Sequence, residues 1–238
     1  MSEQFQRTAA LLGEEAMQRL QSARVAVFGV GGVGGYVCEA LVRSGVGTLD
    51  VFDKDDVSVT NLNRQIIALH STIGQDKVSV LADRMRDINP AVAINEHKMF
   101  YLPENADEID LSAYDFVVDA VDTVAAKIEL AVRCERLGVP LIAAMGAGNK
   151  LDPSKLQIAD VYKTNICPLA RAMRTTLRKK GVKRLTVAYS TEEPLRPAQA
   201  IDDGSGRRKD VPASAAFVPS AMGLLIASHV VRSLVQAT

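Results

Sequence analysis

Short apolar runs alternate with amphipathic stretches along most of this chain, and the two periods predict strands and helices in turn. Residues 24–28, 48–52, 92–95, 116–120 and 141–145 read as strands. Between them, residues 36–44, 78–88 and 125–137 read as helices, stopped by Gly45, by Asn89-Pro90, and by Gly138 with Pro140. An amphipathic helix over residues 5–21 precedes the first strand, with Leu11, Leu12, Ala16, Met17 and Leu20 able to share a face. Strands alternating with helices at this spacing predict an α/β fold, a Rossmann-like doubly wound and mostly parallel sheet with helices on both faces.

The pattern changes after residue 150. Residues 156–161 and 185–190 read as strands around a helix at 168–180, and so predict a C-terminal extension of the sheet. Residues 192–213, rich in proline, glycine and mixed charge and including Arg207-Arg208-Lys209, read as a mobile loop. An apolar helix at 221–235 closes the chain and reads as buried. The expectation is one unit over 1–238, with a nucleotide-binding core at about 22–150 and a substrate-binding part at about 151–238.

Composition adds exclusions. Lys and Arg balance Asp and Glu at 28 each, so no global field draws the chain to nucleic acid or membrane, and any attraction must be local. Cys38, Cys134 and Cys167 are scattered without a C-x-x-C pair, which argues against zinc and against a disulfide framework. No signal peptide and no apolar run of membrane-spanning length is evident, so the cytoplasm is the expected location.

The candidate chemistry begins at Gly29. Gly29, Gly31 and Gly34, with Gly32 among them, follow the first strand and open the first core helix as G-x-G-x-x-G. Such a turn brings bare amides at a helix start close to a phosphate. Asp53 ends the second strand, where a carboxylate can accept hydrogen bonds from a ribose. Residues 54–65 are then polar where a simple dinucleotide domain would already have entered its next helix. Lys77 stands at a helix start, against the helix dipole, either as a surface charge or for a role elsewhere. Asp122, past the fourth strand, reads as a helix cap or a ligand.

Gly29-x-Gly31-Gly32-x-Gly34, Asp53-x-Asp55, Asn61-x-x-Arg64-Gln65, Lys77 and Asp119-x-x-Asp122 together resemble the adenylating proteins related to ubiquitin-activating enzymes, including the molybdopterin- and thiamine-pathway activators. The later residues, Met145 to Pro153, Gln157 to Asp160, Lys163-Thr164 and Pro168 to Ala170, resemble one branch, the tRNA threonylcarbamoyladenosine dehydratases. The resemblance implies ATP as cosubstrate, with Mg²⁺ held by Asp122. It implies Asp53 at the ribose, Asn61, Gln65, Arg64 and Lys77 around the phosphates, and Asp55 within the same nucleotide-binding set. It also implies a homodimer in which Arg7 reaches the neighbouring subunit's phosphates. A monovalent cation and a sulfur-transfer protein are further candidates. Arg64, Lys77, Asp122 and Arg7 are the expected catalytic set. Cys167, before a proline that starts a helix, reads either as a nucleophile or as a plain helix-start residue.

One charge pattern points to phosphate binding without the resemblance, which implies tRNA as the bearer of those phosphates. Residues 161–191 hold eight basic residues and no acid. Arg171, Arg174 and Arg178 recur at helical spacing, and Lys179, Lys180, Lys183 and Arg184 extend them. A solvated face usually mixes signs, so phosphate binding is the preferred reading. Three rivals remain open: an NAD-dependent oxidoreductase on the same βαβ unit, an activator of a ubiquitin-like or sulfur-carrier protein, and a non-catalytic nucleotide-binding scaffold. Against the first stand Arg64 and Lys77, and the expectation that His70, His97 and His229 all lie away from strand carboxyl ends.

Overall fold

The computed structural model describes residues 2–199 and 212–236. Its centre is a seven-stranded sheet formed by β1 (Arg24–Phe28), β2 (Thr48–Phe52), β3 (Ala93–His97), β4 (Phe116–Asp119), β5 (Leu141–Ala144), β6 (Leu156–Asp160) and β7 (Thr186–Ser190). The order is β3-β2-β1-β4-β5-β7-β6, parallel throughout except for the edge strand β6, which runs antiparallel to β7. The doubly wound fold and its C-terminal extension are therefore as the pattern predicts.

Helices α1 (Gln6–Leu12), α2 (Glu14–Ser22), α3 (Gly34–Ser44), α4 (Lys77–Ile88) and α7 (Phe217–Gln236) cover one face. The other carries α5 (Val124–Leu137) and α6 (Pro168–Lys179). β1 is buried on both faces, with Val25, Ala26, Val27 and Phe28 inaccessible, as a central parallel strand requires. α7 lies so close to α3 that a Cβ on Gly223 would stand 2.5 Å from the Val33 carbonyl oxygen.

Several expectations are corrected. The first amphipathic stretch is two helices, because Gly13 takes φ 88° and turns the chain between them. β3 runs on through Glu96 to His97, which places a histidine at a strand's carboxyl end after all. Between β3 and β4, short turns at Ala106–Glu108 and Leu111–Ala113 bury Ala106 and Leu111. α7 starts at Phe217, since Pro219 in its first turn needs no hydrogen-bond partner for a missing N–H, and the resulting 20 residues are long and apolar enough to cross a membrane. Val218, Met222, Ile226, Ala227 and Val230 of that helix are buried against the core, which explains its composition. Within the expected loop at 192–213, residues 200–211, with Arg207-Arg208-Lys209, lie outside the described residues.

Candidate functional site

A cleft of about 610 Å³ opens at the carboxyl ends of β1, β2 and β4. The glycine turn forms its floor. Gly29 has φ 86°, and a Cβ there would meet the Ala120 carbonyl oxygen at 2.7 Å. At Gly34 a Cβ would fall 1.8 Å from the Gly29 carbonyl oxygen, so this turn can be closed only by glycines. Gly31 and Gly32 line the cleft itself.

Asp53 braces the turn. Its Oδ2 accepts from the Val30 N–H at 2.8 Å and its Oδ1 from the Asp55 N–H at 2.9 Å. The carboxylate thus faces the cleft with its position fixed by two backbone donors, and each oxygen keeps lone-pair capacity for a sugar hydroxyl.

Polar and cationic groups converge on the other side. Lys77 lines the cleft from the first position of α4 although only 5% of it is exposed, and its Nζ donates to Asp55 Oδ2 at 3.1 Å. The Lys77 N–H donates to the Asp55 carbonyl at 3.1 Å, so one residue holds both ends of the lysine. Arg64 donates through Nη1 to the Thr60 carbonyl and to Asn63 Oδ1, both at 3.0 Å. Asn61 closes a short turn by accepting from the Ser58 N–H at 3.1 Å. Gln65 is buried, and its Oε1 has no partner among the described residues. Asp122 is exposed at the cleft rim, its Oδ1 accepting from the Thr123 hydroxyl at 3.2 Å. One exposed carboxylate at the rim is a group of the kind Mg²⁺ takes, since that ion binds one or two carboxylates and completes its shell with other oxygens and water.

The loop carrying Asp122 is anchored from below. Lys127, on α5, is wholly buried and donates to Asp119 Oδ1 at 2.8 Å and to the Val121 carbonyl at 3.0 Å. Burial pushes the Asp119 carboxyl up, and the Lys127 ammonium opposes it. Asp119 Oδ2 has no partner among the described residues.

Sequence reading missed the rest of the lining. Phe28, Phe52, Met99, Phe100 and Tyr101 give the cleft an apolar wall, a surface suited to a base. Their position at and just past the carboxyl ends of β1, β2 and β3 is a signal that was available. Pro212 and Ser214 close the cleft from a segment remote in sequence. Asn149 holds that segment from both sides, its N–H donating to the Ala213 carbonyl at 2.7 Å and its Oδ1 accepting from the Ala213 N–H at 2.8 Å. Asn63 Nδ2 donates to the Ser214 carbonyl at 2.9 Å.

Other candidates lie elsewhere. Arg7 is exposed on α1, outside the cleft. Phe5, two residues earlier, packs near Gly45 at the carboxyl end of α3, about 16 Å along that helix from the glycine turn. His97, despite ending β3, turns into the fold, its ring stacked on Phe52 and its Nε2 3.1 Å from Asp50 Oδ1. Cys167 is buried before α6, and Lys150 beside it gives its Nζ to the Glu192 carbonyl at 2.6 Å. The expected basic face of α6 divides. Arg171, Arg178, Lys179, Lys180, Lys183 and Arg184 are exposed. Arg174 stands beside the buried stripe of Met173 and Leu177 and turns inward, donating through Nη1 to the Thr164 carbonyl at 3.0 Å and to the Thr164 hydroxyl.

The model of the ThiF family matches residues 4–238. The tRNA threonylcarbamoyladenosine dehydratase of Bacillus subtilis is 44% identical over 99% of this chain and 96% of its own length. The Escherichia coli protein of the same name is 35% identical over 98% of this chain and 93% of its own. Crystal structures of the Escherichia coli enzyme superpose with a TM-score of 0.88 in complex with AMP and 0.86 in complex with ATP, each covering 98% of this chain. The chain belongs to the ThiF family and, within it, to the tRNA threonylcarbamoyladenosine dehydratases.

Proposed function

We propose that this protein uses ATP to dehydrate threonylcarbamoyladenosine in tRNA, beside the anticodon, through a carboxyl-adenylate. The observation that carries the reading is the convergence of the glycine turn, Asp53, Arg64, Lys77 and Asp122 on one cleft in a chain that matches such enzymes over nearly its whole length.

A carboxylate resists nucleophilic attack because it is charged and because oxide leaves poorly. In the proposed first step a carboxylate oxygen of the threonine moiety attacks the α-phosphorus of ATP and pyrophosphate departs. Arg64 and Lys77 stabilise the charge that spreads over the phosphoryl oxygens. Lys77, paired with the half-exposed Asp55 in the free protein, turns its ammonium to that charge. A nitrogen or oxygen of the same threonylcarbamoyl group then attacks the acyl carbon and expels AMP. Well-placed intramolecular attack reaches effective molarities of about 10⁵ M. The step thus calls chiefly for positioning, in keeping with the lack of a Ser-His or Cys-His pair among the cleft residues. Asp122 would hold Mg²⁺ at the phosphates, adding charge stabilisation there. Cys167, buried and outside the cleft lining, takes no acyl group in this scheme.

A homodimer with shared sites belongs to the proposal, because Arg7 stands too far along α3 to serve its own cleft. The 151–238 part, with its basic helix, is taken to meet the tRNA. Incubation with ATP and tRNA carrying threonylcarbamoyladenosine, followed by nucleoside mass analysis, tests the reading. Loss of one water per modified nucleoside with one AMP formed is the expected result. AMP formation only with the C-terminus of a sulfur-carrier or ubiquitin-like protein would replace it with that activity.

A further inference from the structure

None of the exposed cations of α6 and the connection after it lines the cleft, and the strand order places this track of charge toward the far rim of the sheet. β7 runs parallel to β5, with Ile142 opposite Thr186 and Ala144 opposite Ala188, so its carboxyl end points the same way as the cleft. Lys183 and Arg184 precede β7 and therefore sit at the opposite rim of the sheet. At about 3.3 Å per residue, the stretch from Arg184 to Ser190 spans roughly 20 Å. The last turn of α6 is tied to that far rim. The Tyr162 hydroxyl donates to the Val182 carbonyl at 2.5 Å, the Arg178 guanidinium lies 5.3 Å from the Tyr162 ring centre, and the Val161 N–H donates to the Leu185 carbonyl at 2.8 Å. Arg171 stands seven residues earlier, about 10 Å back along the helix.

Among the described residues, none of Arg171, Arg178, Lys179, Lys180, Lys183 and Arg184 is within salt-bridge distance of a carboxylate. Two acids on neighbouring elements meet this segment through backbone N–H groups rather than through its cationic side chains. Glu135 accepts from the Lys183 N–H at 3.3 Å, and Asp160 accepts from the Tyr162 N–H at 2.8 Å. The track also lacks a free aromatic platform, since Tyr162 is covered by Arg178 and Tyr189 is buried. Proteins that hold single-stranded nucleic acid stack bases on exposed aromatics, whereas a duplex is held by its backbone and shape.

We infer that this track is the docking surface for the helical stem that adjoins the modified nucleoside. The nucleoside enters the cleft, and the sugar-phosphate backbone of its stem descends past Arg171 to Arg178, Lys179, Lys180, Lys183 and Arg184. A span of roughly 20 Å covers several base steps of an A-form helix, which reaches into a stem. The inference rests on the tRNA reading given above and adds to it which part of the RNA is held, and where.

Binding tests it independently of catalysis. Fluorescence anisotropy compares a labelled hairpin of anticodon stem and loop with the loop sequence alone as a linear oligonucleotide. The proteins are the full chain and a variant with Lys179→Gln, Lys180→Gln and Lys183→Gln, and calorimetric ATP binding reports whether the variant's cleft is folded. Should that variant fail to fold, Lys179→Gln with Lys180→Gln alone takes its place. Each phosphate contact contributes about fivefold at 0.15 M salt. The parent is expected to prefer the hairpin by roughly 100-fold or more. The triple variant is expected to lose about 100-fold of that preference, with the hairpin's log–log salt slope shallower by about 2 to 3. Equal affinity of the parent for hairpin and loop, or a variant that keeps the whole preference, overturns the inference. A hairpin preference that the variant abolishes, in a protein that dehydrates no modified tRNA, would sink the proposed reaction and leave the stem surface standing.

Discussion

Replacing Lys127 by methionine removes a buried charge while keeping nearly the same volume, so its effect isolates the electrostatics beneath the Asp122 loop. Lys127 and Asp119 are both inaccessible and 2.8 Å apart. Breaking such a pair from one side costs about 3–5 kcal/mol. A second route to the magnitude agrees. Asp119 can escape an unpaired buried charge by taking up a proton, and holding a carboxyl protonated some three units above its ordinary value costs about 4 kcal/mol at 1.36 per unit. The variant should therefore lose about 4 kcal/mol at pH 7, read from urea unfolding midpoints. In the variant the folded-state pKa of Asp119 lies above its unfolded value, so protonation favours the folded state. The deficit should shrink as pH falls from about 7 toward about 4. Adding Asp119→Asn should recover much of the stability. Because Lys127 also holds the Val121 carbonyl at 3.0 Å, ATP affinity should remain several-fold weaker in the double variant. A loss below about 1 kcal/mol that does not change with pH would refute the reasoning.

Three further outcomes follow from other residues. Desolvation works to raise the Asp50 carboxyl, but hydrogen bonds from Arg24, Asn95 and His97 outweigh it and hold its pKa below the ordinary carboxylate range. That stability is present above about pH 4 and lost as pH falls further. Asp50→Asn should thus lower the unfolding free energy at pH 7 by about 2–4 kcal/mol and flatten the acid limb, and an unchanged limb would contradict the assignment. Mixing Arg7→Ala protein with Asp122→Ala protein should restore part of the dehydration activity through hybrid dimers, whereas verified hybrids without activity would remove Arg7 from the partner's site. Cys167→Ser should leave single-turnover dehydration within about threefold of the parent, and a thousandfold loss with ATP binding intact would point to a thioester instead.

What could be read in the sequence was what local constraint writes into it. Gly29 and Gly34 must be glycine because carbonyls occupy the space of their Cβ atoms, so their spacing marks the tight turn in the sequence. The strands buried on both faces were legible as apolar runs. β3 reads short because Glu96 and His97 look like loop, yet each has a partner that pays for its place in this edge strand, Arg86 and Ser79 for Glu96 and Asp50 for His97. Gly13 was passed over because the apolar pattern continues in phase across the break. Arg174 and the Pro212–Ser214 closure were illegible for a different reason. Both depend on hydrogen bonds between segments distant in sequence, from Arg174 to Thr164 and from Asn149 and Asn63 to residues 213 and 214, and such bonds leave no periodic trace.

The central claim is that the substrate carboxylate is activated at the α-phosphorus, and oxygen labelling tests it most directly. tRNA bearing threonylcarbamoyladenosine with an ¹⁸O-labelled carboxylate is turned over once with unlabelled ATP, and the nucleotide products are weighed by mass spectrometry. One ¹⁸O in AMP, with unlabelled pyrophosphate, is the result expected when a carboxylate oxygen leaves on the adenylyl group. Unlabelled ADP with ¹⁸O in inorganic phosphate would mean activation at the γ-phosphorus and would contradict the account.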